Sequence, residues 1–147
     1  MSRLFVIAVF ILLVAFGTSA ARAADTVVWS GLVMASNAPD PTPIPPELDR
    51  FQRTLKDLFG YNQFQVIGQS RQTLKTGDED WRTSSKYFSL RVNSKPGAKS
   101  AYVLDLQLFQ EQKLLLETKA KLSKSSPLVI RGPQVGEGQL VLLLVLQ

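Results

Sequence analysis

The chain has 147 residues, with 17 basic against 12 acidic side chains for a formal charge of +5, and it contains neither cysteine nor histidine. Without cysteine there is no disulfide, no thiolate metal site and no cysteine nucleophile; without histidine the usual general base and the commonest nitrogen ligand are missing too. Most hydrolase and zinc-enzyme constellations are thereby excluded, and the length suits one domain.

Met1-Ser2-Arg3 puts one positive charge ahead of the apolar run Leu4 to Phe16, and small neutral residues follow, ending in Ala21-Arg22-Ala23-Ala24. These are the three parts of a cleavable signal peptide. The run is shorter than the roughly 20 apolar residues that span a hydrocarbon core, which argues against an anchor. The sequence thus predicts a signal peptide over residues 1–24 and a single strand-rich domain over 25–147, with no transmembrane span after cleavage. Two of the basic charges, Arg3 and Arg22, leave with the leader. The expected location is exported, periplasmic or cell-envelope associated in a bacterium, with the extracellular space as the alternative. An exported domain without disulfides must hold itself together by its apolar core.

Thr26 to Ser36 is rich in β-branched and apolar residues and reads as the first strand. Asn37 to Pro46 holds five prolines, a stiff extended segment expected to carry the chain across to a helix rather than to serve as a polyproline recognition motif. The helix is predicted over Glu47 to Phe59. Pro45-Pro46 suit its start, Glu47 and Asp49 put negative charge in its first turn, and Leu48, Phe51, Leu55, Leu58 and Phe59 form its apolar stripe. Gly60 supplies a left-handed C-cap.

Beyond Tyr61 the period falls to two. Phe64 and Val66 alternate with glutamines until Ile67 breaks the pattern, and Arg71 to Lys75 reads as a separate short strand closed by the turn Gly77-Asp78-Glu79-Asp80. Phe88, Leu90 and Val92 mark the next strand, Lys95 to Ala98 a turn, and Ala101 to Gln110 a strand with Tyr102, Leu104, Leu106 and Leu108 on one side. Leu114 to Leu122 fits a strand better than a short helix, although Glu117 and Lys121 would make a favourable helical pair. Leu128 to Ile130 is a short apolar run, and Leu140 to Leu146 is seven apolar residues long, suited to a strand covered on both faces. The expected architecture is α+β: a mostly antiparallel sheet of about seven strands with one amphipathic helix packed on it, the alternative being a β-sandwich with a helical insertion.

Few residues suggest chemistry. Gly132, Gly136 and Gly138 lack the lysine and hydroxyl residue that a phosphate loop requires and read as a tight hairpin. Asp78, Glu79 and Asp80 are the one acidic cluster, too closely spaced to converge on a sugar or a calcium ion, and read as a solvated turn. Lys113, Lys119, Lys121 and Lys124 bias one region toward positive charge, suited to guarding a sheet edge or meeting an anionic surface. Trp81 is expected to anchor the acidic turn to the core, with an exposed ring pointing to a binding role instead. No serine-x-x-lysine pair is present, and nucleic acid is not an expected partner.

These observations favour a non-catalytic exported envelope protein that needs no cofactor and no metal. It would bind a protein partner, itself an envelope protein, through a sheet edge or a basic face, with Lys113, Lys119, Lys121, Lys124 and Trp81 as candidate contacts. A carrier of a small ligand or glycan, using a cleft between helix and sheet near Trp81 or Trp29, is the alternative. An enzyme working without histidine or cysteine is the third class.

Overall fold

The computed structural model describes residues 26–147, so the expected signal peptide lies outside the described residues. The strands are β1 (Thr26–Ser36), β2 (Gln63–Leu74), β3 (Asp80–Ser84), β4 (Phe88–Pro96), β5 (Tyr102–Gln110), β6 (Lys113–Leu122), β7 (Leu128–Val135) and β8 (Gly138–Leu146). A 3₁₀ turn over Pro46–Phe51 leads into the helix α1 (Gln52–Phe59) between β1 and β2. Every strand pairing is antiparallel. The strands form two four-stranded sheets, ordered β2-β1-β8-β7 and β3-β4-β5-β6, in place of the single sheet of about seven strands that the sequence suggested. Among the described residues no helix is long and apolar enough to cross a membrane.

The alternation of apolar residues divides the interior into two cores. Even-numbered residues of β1 and β8, such as Val28, Leu32, Leu140, Leu142 and Leu144, meet Leu90, Val92, Leu104, Leu106 and Leu108 of the second sheet in one buried core. The odd-numbered set, Trp29, Val33, Ala35, Val141, Leu143 and Val145, forms a second core with Leu48, Phe51 and Leu55 of the helical segment. β8 is buried along its whole length and lies between β1 and β7, as its unbroken apolar run requires. The layers are therefore helix, first sheet and second sheet.

The helical segment departs from a uniform helix in its first half. With Pro45 and Pro46 at its start, the chain winds tightly, and the Leu48 amide donates to the Pro45 carbonyl at 2.9 Å. The buried stripe runs through Leu48, Phe51, Leu55 and the half-buried Phe59. Leu58, expected in that stripe, is 54% exposed: about 60° from Leu55 and 100° from Phe59 around the helix, it stands at the margin of the stripe. Gly60 has the left-handed backbone of a C-cap, with φ of 66°. Arg131 of β7 holds this end, donating to the Leu58 carbonyl at 3.2 Å with its guanidinium 5.0 Å above the Phe59 ring.

The proline segment is a clamped crossover. The Asn62 side chain accepts from the Ala38 amide at 2.8 Å and donates to the Ala38 carbonyl at 3.0 Å, while the Asn62 amide donates to Asn37 Oδ1 at 3.1 Å.

Three bulges account for the segments that alternation misread. Leu32 pairs with Gly68 and Val33 with Val66, which leaves Ile67 without a partner, so β2 is one bent strand rather than two. In β6, Leu108 pairs with Leu116 and Phe109 with Leu114, so Leu115 is the extra residue and Leu114 is turned out, 44% exposed. β7 continues past Ile130 through an irregularity at Gly132-Pro133, where Gln139 Nε2 donates to the Gly132 carbonyl and, at 3.1 Å, to the Leu140 carbonyl. The short strand β3 falls where the sequence suggested only the end of a turn.

No ladder joins β2 to β3 or β6 to β7. At the first of these corners Gly68 lies so close to Ser84 that a Cβ would meet its carbonyl group. Ser70 and Thr83 bridge the same corner through their hydroxyls at 2.5 Å.

Urea denaturation checks this layering. Leu55→Ala and Leu142→Ala, each removing a fully buried side chain from a different core, are expected to cost about 2–5 kcal/mol. Leu58→Ala is expected to stay within about 0.5 kcal/mol of the parent; a loss at Leu58 equal to that at Leu55 would contradict the orientation of α1.

Candidate functional site: the open face of the second sheet and the cleft beneath the helix

The two outer faces of the sandwich differ. The helical segment covers the outer face of the first sheet. The outer face of the second sheet carries Arg82, Arg91, Lys95, Glu117, Lys119 and Lys121, all exposed. Register fixes their neighbours: Lys95 pairs with Val103, which pairs with Lys121, and Asp105 pairs with Lys119. Lys95 and Lys121 are therefore two strands apart, about 10 Å.

The four lysines singled out in the sequence do not form one patch. Lys119 and Lys121 stand on the outer face of β6, Lys124 in the turn closed by the Ser123–Ser126 bridge, and Lys113 at the other end of β6. Six residues of strand separate Lys113 from Lys119, roughly 20 Å. Lys119 lies 3.9 Å from Asp105, an exposed pair of small energetic weight. Lys95 on β4 and Lys99 in the β4–β5 turn join the Lys121 and Lys124 end of the sheet. They lie far from β6 in sequence, and cross-strand register is the signal that would have found them.

Trp81 is outside this face. Its ring is 7% exposed between the two sheets, and its indole nitrogen donates to Ser30 Oγ at 3.2 Å. Trp81 belongs to the core between the sheets and not to the one under the helical segment, and among the described residues the cleft between helix and sheet lies at Trp29. There, a cavity of about 320 Å³ opens between the helical segment and the first sheet, lined by Trp29, Pro46, Glu47, Asp49, Arg50, Phe51, Arg71, Val145 and Gln147. Trp29 donates from its indole nitrogen to Gln69 Oε1 at 2.9 Å. Its ring lies across Gly31, where a Cβ would collide with it.

The acidic turn is built for structure. Glu79 Oε1 accepts from the backbone amides of Lys75 at 2.8 Å and Thr76 at 3.0 Å. Burial acts to raise the Glu79 carboxyl, but these amides outweigh it and hold the group below its ordinary value. Asp80 turns away to Arg91, with Oδ2 2.8 Å from the guanidinium, and that hydrogen bond is the main reason its carboxyl is also lowered. The three neighbouring acids do not meet at one point. Ser94, fully buried, ties the turn to β4 by donating to the Gly77 carbonyl at 2.8 Å.

Comparison with protein-family models, with curated proteins and with solved structures finds no match to this chain.

Both lowered carboxyls bind fewer protons folded than unfolded, so their contribution to stability is complete above their ordinary values of 4.5 and 3.8 and is lost as pH falls through the lowered ones. Urea midpoints measured from pH 7 down to pH 3 should therefore drop less steeply for Glu79→Gln/Asp80→Asn than for the parent, with the variant already weaker at pH 7. Parallel curves would contradict the assignment.

Proposed function

We propose that the protein is a non-catalytic binding module of the exported compartment, which engages an acidic protein partner of the cell envelope through the outer face of its second sheet and the β6 rim. The observation that carries this reading is the unequal cover of the two sheets among the described residues. One outer face is packed against the helical segment, and the other presents exposed lysines at one end. Lys95, Lys121 and Lys124 enter no ion pair among the described residues, so their charge is free to act on a partner. β6 is the last strand of the second sheet, so its outer side carries no ladder beside those lysines. Export rests on the leader-like residues 1–24. A small-ligand role is supported separately, by the cleft beside Trp29.

Photo-crosslinking in envelope extracts tests the partner reading. A crosslinker at Val103, between Lys95 and Lys121, should give a discrete adduct that disappears in Lys95→Glu/Lys121→Glu/Lys124→Glu and in 1 M salt, where the Debye length is about 3 Å. A crosslinker at Thr54, on the exposed side of α1, should give none. Adducts of equal yield from both positions, or none from Val103, would overturn it.

A further inference from the structure

The cleft on the helix side has a chemistry of its own, distinct from the lysine-bearing face. Its floor is apolar and closed: Trp29 is 3%, Phe51 8% and Val145 3% exposed. Its rim carries two guanidinium groups, Arg50 and Arg71, and two carboxylates, Glu47 and Asp49. Among the described residues none of these four charges enters an ion pair. A rim with side-chain charges of both signs, none paired with another, is complementary to a ligand that itself carries both.

We propose that this cleft binds a free α-amino acid with an apolar side chain, as its zwitterion. The inference rests on the small-ligand reading and is independent of the partner face. The arginine forks match a carboxylate, the two acids accept from an ammonium, and the side chain covers the Trp29, Phe51 and Val145 floor. A simple anion would be opposed by Glu47 and Asp49, and a simple cation by the arginines. At about 320 Å³ the cavity is at the small end of ligand sites, which span about 300–1,000 Å³, so it holds one small molecule and not an oligosaccharide. One part of it is already fixed: Trp29 is held by Gln69 and by its contact across Gly31. Little freedom of that side chain is lost on binding. The Arg50 guanidinium stands 4.7 Å from the centre of the Phe51 ring.

The test is titration of the purified protein with L-phenylalanine and L-leucine, followed by calorimetry and by the Trp29 indole N–H resonance. Phenylacetate, phenethylamine and glucose serve as comparison ligands. The expected result is saturable binding of at least one amino acid that shifts the Trp29 signal, at least roughly tenfold weaker binding of both single-charge analogues, and none of glucose. Arg71 is exposed on β2, and Arg71→Gln should lose at least roughly tenfold in affinity with an unchanged melting temperature. The proposal is overturned by no saturable binding up to about 10 mM, ten times a weak millimolar Kd, by equal binding of either single-charge analogue or of glucose, or by an Arg71→Gln variant that binds as the parent does. Because these residues and the Lys95–Lys121 face lie on opposite sheets, failure here leaves the crosslinking outcome untouched.

Discussion

A strand of seven consecutive apolar residues cannot show either face to water, and the rest of this structure answers that constraint. Leu140, Leu142, Leu144 and Leu146 point one way along β8 and Val141, Leu143 and Val145 the other, and all seven are buried. The first set meets the second sheet and the second set meets the helical segment, so β8 needs a cover on each side. Its neighbour β1 has the same double burial over Val28 to Val33. The helix therefore completes the fold: without it, Trp29, Val33, Leu143 and Val145 would face solvent.

The fully buried hydroxyls of this core are individually provided for. Ser30, Thr83 and Ser94 are fully buried, and each has a hydrogen-bond partner: the Trp81 indole for Ser30, Ser70 for Thr83, the Gly77 carbonyl for Ser94. Buried polar groups without partners are costly, so these contacts fix how the sheets align as well as how tightly they pack. The Ser70–Thr83 contact substitutes for a backbone ladder at the β2–β3 corner, where Gly68 lets the two chains approach. At Gly132-Pro133, where proline offers no amide, the Gln139 side chain supplies the missing donor.

Much of this was readable from the residues, and the failures have physical causes. β1 matches its sequence limits because its β-branched run stops at a proline-rich segment, and Gly60 ends α1 because glycine accepts a left-handed backbone readily. The double burial of β8 was legible because only a covered strand tolerates such a run. The bulges were not: one extra residue at Ile67 or Leu115 flips the alternation, and in the sequence this looks like a strand break or a helix. β3 was hidden because five residues beginning in an acidic turn carry just two buried side chains, Trp81 and Thr83. The division into two sheets depends on which strands leave their edges unpaired, and periodicity carries no information about that. For the same reason Lys95 could not be joined to Lys121, nor Arg71 to Arg50, before the pairing was known.

The two faces that result are unequal, one covered except for a charged cleft, the other lysine-bearing among the described residues, and both rest on the buried central pair β1 and β8. Native-state hydrogen exchange measures the stability of that pair directly. The amides of Val28 to Val33 and Leu140 to Val145 are expected to exchange only through global unfolding and to be the slowest in the protein, while those of β3 and α1 open at lower free energy. Exchange of the β8 amides as fast as those of β3 would show that the chain's apolar terminal strand is not the shared wall of two cores, and would contradict the account.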